Sequence, residues 1–443
     1  MKHIKRNPGA KTINSHIISR SDHPISRANI SENALKVLYR LKNAGYQGFL
    51  VGGGVRDLLL GREPKDFDIA TNASPDEVRS LFRNCRLIGR RFRLAHIMFG
   101  REIIEVATFR AQANDDSAED SGGIEVEESG RLLRDNVFGT LEEDAWRRDF
   151  TINALYYNIE DFSVADFTGG MADIEAGLLR IIGEPEQRFR EDPVRMLRAV
   201  RFAAKIGFRI DEASEAKIFE LGHLLDNIPA ARLFDEVLKL FFGGCALQTF
   251  ELLRHYNLFQ YLFPQTEDEL AEEENHFPHT MVMRALQNTD ERIAIGKPVT
   301  PAFLYAALLW EPVRQEWLLR QDDGVPEQPA LTQAAQEVVG LQVECTSLPR
   351  RFSTPMQEIW AMQPRLTKRS GKRAYRLMEH PRFRAAYDFL LLRAEAGEER
   401  QELADWWTEF QEVDDEQRKV MVRKLTPKRS HRSRRSSGKK ASD

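Results

Sequence analysis

The hydrophobic pattern of one early stretch predicts a strand, a tight turn, a helix and a second strand in close succession. Residues 49–51 form an unbroken apolar run, glycines occupy 52–54, and apolar residues recur with helical spacing over 55–60. After a further break, Asp66 and Asp68 alternate with their neighbours, so a strand would place both carboxylates on one face. The pattern brings two acids to the end of a glycine-turn unit.

The residue types in this unit suit a phosphate-bearing ligand and a divalent cation. Gly52 and Gly53 lack Cβ atoms, so they can adopt positive φ and bring the backbone close to a phosphate, and Arg56 follows in the first helical turn. Asp66 and Asp68 supply the carboxylate oxygens that Mg²⁺ prefers. The alternative is a glycine-rich turn with a solvated acidic strand end, because Asp-x-Asp by itself is common.

Spacing and capping signals predict further elements around this unit. Residues 31–43 have the amphipathic spacing of a helix, and 74–77 form a capping box with proline at the first helical position. Residues 94–99 and 102–109 predict the two strands of a hairpin. The polar and acidic segment 112–130 predicts a mobile loop.

Glu105 is a candidate third carboxylate of the cation site. In the predicted strand it shares a face with Ile103 and Ala107, and an acid on a buried strand is costly unless it is paired or bound to metal. An ion pair with Arg91 or Arg93 is the alternative.

Strand signals almost vanish after residue 174, which predicts an all-helical continuation. Asp192 precedes a proline, as at a helix N-terminus, and Arg195, Arg198 and Arg201 then recur on one face. This cationic stripe suits either a triphosphate and base or a solvated surface. Further amphipathic helices are predicted over 232–262, 280–294, 301–310 and 330–341.

A second cationic segment precedes an apolar helix predicted over 383–392 and includes Tyr375. Cations beside an aromatic ring suit a phosphate backbone and stacked bases, although helix surfaces are often rich in Lys and Arg for no specific reason. The candidate RNA-binding residues are Arg365, Lys368, Arg369, Lys372, Arg373 and Arg376.

Composition sets the outer bounds. The chain has 443 residues, 42% of them hydrophobic and 30% charged, which is typical of a soluble protein of several domains. No run of 18 apolar residues occurs, so no membrane span is expected. Three scattered cysteines favour a reducing compartment, with the cytoplasm as the expected location. His276 and His279 flank a proline and are expected to be loop residues without a metal.

Charge is unevenly distributed. Residues 423–443 hold nine Lys or Arg against one acid, although the whole chain has a net charge of −4. This tail suits contact with a polyanion or a solubilising role. Residues 1–28 are basic without the apolar core of a secretory signal, which predicts a flexible arm, with a mitochondrial transit peptide as the alternative.

The sequence GGGVRDLLLG followed by DFD resembles the nucleotidyltransferases with a DNA-polymerase-β-like catalytic domain. Within them it is similar to the branch that contains bacterial poly(A) polymerases and the enzymes that add CCA to transfer RNA. Residues 90–110 resemble the poly(A) polymerases more than the CCA-adding enzymes. The resemblance is strong over residues 31–260 and looser over the rest.

The resemblance assigns roles to residues in three motifs. The second motif, Arg-Arg-Asp-Phe-Thr-Ile-Asn at 147–153, lies in a stretch where Phe150, Ala154 and Tyr157 have helical spacing. The third motif, Glu-Asp-x-x-Arg, implies that Asp192 and Arg195 read the incoming base, and this pair suits adenine or, paired otherwise, cytosine. The implied catalytic residues are Asp66, Asp68 and Asp149, and the implied nucleotide-binding residues are Gly52, Gly53, Arg56, Asp57, Arg148, Asn153, Asp192, Arg195, Arg198 and Arg201.

The expected fold is α+β, with a mixed-sheet head followed by an all-helical neck and body. The expected reaction is template-independent transfer of AMP from ATP to RNA 3′ ends of any sequence, with two Mg²⁺ ions (Mn²⁺ as an alternative) and release of pyrophosphate. RNA-decay proteins are candidate partners, and the expected role is to mark RNA for decay. The alternatives are a CCA-adding enzyme and a noncatalytic RNA-binding protein. The predicted domains are an arm at 1–28, a catalytic head at 29–170, a neck at 171–260, a body at 261–422 and a disordered tail at 423–443.

Overall fold

The computed structural model describes residues 16–89, 93–111, 124–126, 132–135, 138–272, 276 and 278–425. The chain divides into two compact units. The first comprises Met1–Pro229 and Gln248–Tyr261, and the second comprises Ala230–Leu247 and Leu262–Asp443. The predicted domain boundaries are finer than this division and stay a prediction.

The first unit is built on an eight-stranded mixed sheet with the strand order β1-β10-β9-β2-β3-β6-β5-β4. Two short pairs, β7 with β8 and β11 with β12, lie outside it. The strands are His16–Ile18 (β1), Gly48–Val51 (β2), Asp68–Thr71 (β3), Cys85–Ile88 (β4), Leu94–Phe99 (β5), Glu102–Thr108 (β6), Ile124–Val126 (β7), Leu132–Asp135 (β8), Leu155–Asn158 (β9), Val164–Asp166 (β10), Leu178–Leu179 (β11) and Arg209–Ile210 (β12).

The register of the central strands places polar side chains in one row. Strand β3 runs antiparallel to β2 and parallel to β6, so Val51 lies opposite Asp68, and Asp68 lies opposite Glu105. On the other side of β2, Val51 lies opposite Tyr156 of β9. Side chains of paired residues share a face, so this row runs along a single face of the sheet.

Alternation along the strands separates two hydrophobic cores. One core contains Leu50, Ile69 and Val106, together with the apolar side of the first helix. The other contains Val51 and Tyr156 on the opposite face. Because successive strand residues point to opposite faces, burial of the odd-numbered Ile69 leaves Asp68 on the face of the second core.

Helices follow the strands in the first unit, and two N-termini confirm predicted signals. Ser31 caps the first helix through the backbone N–H groups of Asn33 and Ala34, and Ser74 forms both halves of a capping box with Glu77. The helices are Glu32–Asn43 (α1), Gly53–Leu59 (α2), Pro75–Leu81 (α3), Leu141–Trp146 (α4), Gly170–Ala176 (α5), Pro185–Glu191 (α6), Val194–Ile206 (α7) and Glu212–Leu221 (α8).

Three local predictions need correction. Asp66 precedes β3 rather than lying within it, because the strand begins at Asp68. The helical spacing of Phe150, Ala154 and Tyr157 is misleading, since Tyr157 lies in β9, where the aromatic run pairs with β2 and β10. The predicted loop 112–130 includes strand β7, while its other residues beyond Ala111 lie outside the described part.

Helices make up the rest of the described chain, as the sequence predicts, although the region after residue 174, expected to be all-helical, also contains the short strands β11 and β12. Trp407, Phe383 and Leu390 are among the buried residues of a core in the second unit. No helix among the described residues is both long and apolar enough to span a membrane. The remaining helices are Ala230–Phe241 (α9), Ala246–His255 (α10), Pro264–Ala271 (α11), His279–Ala294 (α12), Pro301–Leu308 (α13), Trp310–Asp322 (α14), Glu327–Cys345 (α15), Arg350–Leu366 (α16), Arg373–Met378 (α17), Phe383–Glu395 (α18), Gln401–Glu412 (α19) and Asp415–Lys424 (α20).

Candidate active site

The glycine turn between β2 and α2 brings backbone next to two polar side chains. Gly52 has φ 72° and ψ −140°, a conformation that residues with a side chain rarely adopt. A Cβ placed on Gly52 would lie 3.6 Å from Nη1 of Arg148 and 3.8 Å from Oδ2 of Asp68. The turn therefore requires glycine for its backbone and faces both residues. At Gly53 a Cβ would lie 3.4 Å from Nη2 of Arg56.

Asp68 is the most electrostatically perturbed carboxyl of the turn. Burial, then the negative charges of Glu105 and Asp66, raises its pKa to about 6, while Arg148 opposes the rise. Asp66 is exposed. Among the residues that the structure describes, no three His, Cys, Asp or Glu side chains form a group close enough to hold a metal ion. The arrangement offers two carboxylates, with a third on the neighbouring strand.

Glu105 lies on the less buried face of β6, which corrects the expectation of a buried acid. Its side chain is 45% exposed and lies 3.3 Å from Nε2 of His96, its neighbour across the hairpin. Of the two arginines considered as a partner, Arg93 pairs instead with Asp76 at 2.8 Å, and Arg91 lies outside the described residues.

Arg56 is buried and contacts polar groups of the protein itself. Its side chain is 3% exposed, donates to Asp57 at 2.7 Å, and donates through Nη1 to the side-chain oxygen of Asn153, also at 2.7 Å. The structure thus brings Asn153 of the second motif against Arg56 of the first, 97 positions away in the sequence. Arg56 also lies 5.3 Å from the ring of Phe202 on α7.

Asp149 lies at the centre of a second network. It accepts hydrogen bonds from Nε of Arg198 at 2.9 Å, from the side chain of Asn153 at 3.2 Å and from the backbone N–H of Phe150 at 2.8 Å. Burial alone would raise its pKa, but the charge of Arg198 and these donors lower it to about 2. Asp149 is therefore an anion tied to the arginine stripe.

Arg148 is held by Asp144 and Tyr156, which sequence reasoning missed. Its Nε donates to the Tyr156 hydroxyl at 2.8 Å, and its Nη2 donates to Asp144 at 3.1 Å. The hydroxyl in turn donates to Asp144 at 2.7 Å. The spacing of Asp144 four residues before Arg148 on α4 was an available signal. Nothing local to Tyr156 indicates its role, because the contact depends on the pairing of β9 with β2.

The arginines of α7 are only partly exposed. Arg195 donates to Glu191 at 2.8 Å and to the carbonyl of Arg188 at 2.7 Å. Arg198 and Arg201 lie 5.4 and 4.4 Å from the ring of Phe202. The stripe is therefore built into the fold by ion pairs and aromatic contacts, which a freely solvated helix face would not require.

Asp192 lies just outside the N-terminus of α7, one position earlier than predicted. Pro193 is the N-cap, and Asp192 ends α6 while its carboxylate accepts from the backbone N–H of Val194 at 3.3 Å. The proline begins the turn itself because its fixed φ suits a helical start. Asp192 and Arg195 remain neighbours, since the backbone N–H of Arg195 donates to the carbonyl of Asp192 at 3.0 Å.

Some candidate RNA-binding residues of the second unit contact other side chains of the protein, and the others are exposed. Lys368 pairs with Glu327 at 2.5 Å, and the guanidinium of Arg369 lies 5.0 Å from the ring of Trp406. Tyr375 is half-buried, and its ring packs 5.4 Å from that of Phe410, so it is not presented for stacking. Exposed side chains with no acidic partner among the described residues are those of Arg365, Lys372, Arg373 and Arg376.

Known families match most of the chain. The model described as "Poly A polymerase head domain" matches residues 48–180, "Probable RNA and SrmB- binding site of polymerase A" matches 207–270, and "Polymerase A arginine-rich C-terminus" matches 323–441. A poly(A) polymerase I of Salmonella typhi is 52% identical over 96% of this chain and 92% of its own length. That of Haemophilus influenzae is 47% identical over 96% and 95%.

A solved structure extends the likeness to the fold. The Bacillus stearothermophilus CCA-adding enzyme in complex with CTP matches with a TM-score of 0.54 and 26% identity, over 85% of this chain and 81% of that one. Together, the mixed-sheet head, the glycine turn with its acids and this match define a polymerase-β-like nucleotidyltransferase related to the CCA-adding enzymes. Because its near full-length relatives are poly(A) polymerases, the chain belongs to the poly(A) polymerase family and is a polynucleotide adenylyltransferase.

This assignment decides between the functions considered from the sequence. The enzyme carries out template-independent polyadenylation, with RNA and ATP as substrates. The CCA-adding and noncatalytic alternatives are wrong as descriptions of this chain, although the relation to CCA-adding enzymes holds at the level of the fold.

Proposed function

We propose that the enzyme transfers AMP from ATP to an RNA 3′-hydroxyl at Asp66 and Asp68, with these carboxylates holding two Mg²⁺ ions. The observation that supports this most directly is the position of Asp68. Its carboxylate lies beside the turn at Gly52, it pairs opposite Glu105, and burial and neighbouring acids raise its pKa to about 6. Such a carboxylate is stabilised by a bound cation.

The donor set fits magnesium. Asp66 and Asp68 offer hard oxygen ligands, and Mg²⁺ in nucleotide enzymes is commonly held by one or two carboxylates together with substrate phosphates. Glu105 stays a candidate third ligand, since it lies opposite Asp68 on the next strand. Mn²⁺ is the alternative ion.

When bound, the metal ions would supply Lewis-acid activation of the 3′-hydroxyl and charge neutralisation at the triphosphate. The chain's own residues do the positioning. Gly52 and Gly53 let the triphosphate approach the backbone, and Arg148 lies beside that approach. Arg56 would stabilise the turn, because its side chain donates hydrogen bonds to both Asp57 and Asn153.

Selection of the base is assigned to Asp192 and Arg195, with Arg198 and Arg201 beside them on α7. An Asp acceptor and an Arg donor match the N6 amino group and the N1 acceptor of adenine. Arg195 is held by Glu191 and a backbone carbonyl, so its orientation is fixed before a nucleotide binds. Asp149 would fix Arg198 in the same way.

RNA of any sequence would be held electrostatically by the second unit and by the basic tail. Arg365, Lys372, Arg373 and Arg376 are exposed cations without acidic partners among the described residues. The tail adds seven further Lys or Arg residues beyond Leu425. We further propose a cytoplasmic role in marking RNA for decay, with RNA-decay proteins as partners.

The test is AMP incorporation into an unstructured RNA by Asp68→Ala and Asp66→Ala variants. Both are expected to lose incorporation by at least about a hundredfold while RNA binding in a filter assay stays within twofold of the wild type. Asp76→Ala, which removes a surface acid of the same unit, is the matched control. Unchanged incorporation by Asp68→Ala would remove this residue from the reaction.

A further inference from the structure

Asp144 and Tyr156 are buried polar residues to which the proposed reaction gives no role. Asp144 is 6% exposed and Tyr156 is fully buried. Burying a carboxylate and a hydroxyl in an apolar cluster is costly unless both are fully hydrogen-bonded. Here both are bonded to each other and to Arg148, which suggests that this arginine is what the burial serves.

We infer that Asp144 and Tyr156 are positioning residues that hold the guanidinium of Arg148 against the glycine turn, ready for the phosphates of ATP. The inference rests on the proposed phosphate role of Arg148. It adds to the proposed function the two groups that fix the orientation of that arginine.

The hydrogen bonds of Arg148 to Tyr156 and Asp144 leave one nitrogen of its guanidinium facing the glycine turn. Nε and Nη2 of Arg148 donate to Tyr156 and Asp144, at 2.8 and 3.1 Å. The remaining nitrogen, Nη1, lies beside Gly52, since a Cβ on that residue would approach it to 3.6 Å. Two of the three nitrogens are thus held by the protein, and the third lies where a ligand in the turn would meet it.

The holding groups come from rigid elements. Tyr156 lies on β9 opposite Val51, and Val51 lies opposite Asp68, so the hydroxyl is fixed by the sheet that also carries the candidate metal ligand. Asp144 lies on α4 and also accepts from the backbone N–H of Arg110 at 3.3 Å, at the end of β6. An arginine held from two elements loses less side-chain freedom when ATP binds.

The test is equilibrium binding of ATP with Mg²⁺ to the full-length protein by titration calorimetry, without RNA, so that no turnover occurs. Tyr156→Phe keeps the buried ring and removes only the hydroxyl, and we expect ATP affinity to fall by about 5- to 20-fold. Asp144→Asn, which removes the charge, is expected to weaken binding in the same range.

Tyr157→Phe is the matched control. Tyr157 is the next residue on β9, is equally buried, and its hydroxyl has no hydrogen-bond partner among the residues that the structure describes. Its variant should bind ATP within about twofold of the wild type, because it removes no bond to Arg148.

A double-mutant cycle with Arg148→Lys separates the inference from the proposed function. Lysine keeps the charge but cannot be held at two nitrogens. We expect Arg148→Lys to weaken ATP binding, and Tyr156→Phe to have no further effect in that background. If Arg148→Lys binds ATP normally, the proposed phosphate role fails. If it weakens binding while Tyr156→Phe alone does not, or if the two effects are additive, the positioning inference is overturned.

Discussion

Arg198 donates to the carboxylate of Asp149 across 49 positions of the sequence, at 2.9 Å from Nε. The contact joins the segment after α4 to helix α7 within the first unit. Asn153 donates to the same carboxylate, and Arg56 donates to Asn153, so the first two motifs and helix α7 meet in one hydrogen-bonded chain. These distant segments are therefore joined in one structural unit.

This ion pair predicts a pH-dependent contribution to stability. The pKa of Asp149 is about 2 in the folded protein, below its usual 3.8, so its stabilisation is fully present above pH 4 and is lost as pH falls toward 2. Asp149→Asn should lower the free energy of unfolding by about 1–3 kcal/mol at pH 7. Urea unfolding of both proteins between pH 7 and pH 3 measures the difference. A gap that stays constant over this range would contradict an origin in the charge of Asp149.

For Asp68, the pH dependence of stability has the opposite sign to that of Asp149. The pKa of Asp68 is raised to about 6, so the folded protein binds the proton more tightly than the unfolded chain, and ionisation destabilises the metal-free enzyme as pH rises from 4 to above 6. In EDTA at pH 8, Asp68→Asn should unfold at a higher temperature than the wild type, by an amount equivalent to about 1–3 kcal/mol.

At pH 4 the same two proteins should unfold at nearly equal temperatures, because the wild-type carboxyl is then protonated. Glu63→Gln is the control for this measurement, since Glu63 is an exposed acid of the same segment and is not among the charges that raise the pKa of Asp68. If Asp68→Asn raised the unfolding temperature equally at both pH values, the increase would come from repacking and not from the loss of charge. Adding Mg²⁺ with ATP should narrow the gap at pH 8, because only the wild type keeps the carboxylate that would bind the metal.

Gly52 and Gly61 separate backbone strain from ligand access. Both have positive φ, 72° and 68°, so alanine at either should cost about 1–2 kcal/mol of stability. Only at Gly52 would the new methyl group meet side chains, those of Arg148 and Asp68. Gly52→Ala should therefore lose ATP binding and AMP incorporation, while Gly61→Ala should keep both. Equal activity of the two variants would exclude close approach of ATP at the turn.

The basic tail predicts a change in salt dependence. Truncation after Leu425 removes seven Lys or Arg and one acid. RNA affinity should fall most at low salt, and the slope of log K against log[salt] should become shallower by up to about 5. A tail of equal length built from glycine and serine is the control for chain length. If affinity fell by the same factor at every salt concentration, the contact would not be electrostatic.

The exposed cations of the second unit are expected to contribute to RNA binding in the same salt-dependent way as the tail. Replacing Lys372, Arg373 and Arg376 with alanine should weaken RNA binding at low salt with little change in ATP binding. Lys36, Arg384 and Lys419, which pair with acids on their own helices, give a control variant that loses the same charge. Weakening by the control variant equal to that of the first would show that only total charge matters.

Local signals predicted local structure well. The strand and glycine turn at 48–54, the capping box at Ser74 and the hairpin of β5 and β6 each depend on residues near one another in sequence. The burial of Glu105 was predicted wrongly: alternation groups it with Ile103 and Ala107, as the sequence indicates, but both faces of this stretch carry apolar residues, and only packing beyond the strand decides which face is buried.

Contacts between distant segments were beyond local reasoning. The motifs identified Arg56 and Asn153 individually, but their hydrogen bond joins positions 97 residues apart. Tyr156 carries no motif, and its contact with Arg148 exists only because β9 pairs with β2 while α4 ends nearby. The resemblance to a known family assigned Arg56, Arg148 and Asn153 to nucleotide binding. Their hydrogen-bond partners could be identified only from the register of the sheet.

The row formed by Tyr156, Val51, Asp68 and Glu105 has a consequence for folding. A slip of one residue in β3 would carry the aspartate into the apolar layer and expel Ile69 into its place. Such a mispaired sheet would lose the burial of its aliphatic side chains at the same moment as it lost its carboxylate. Burial of Ile69 by the hydrophobic effect therefore also fixes the face on which Asp68 lies. A chain that mispairs β3 is less stable for the same reason that it misplaces Asp68.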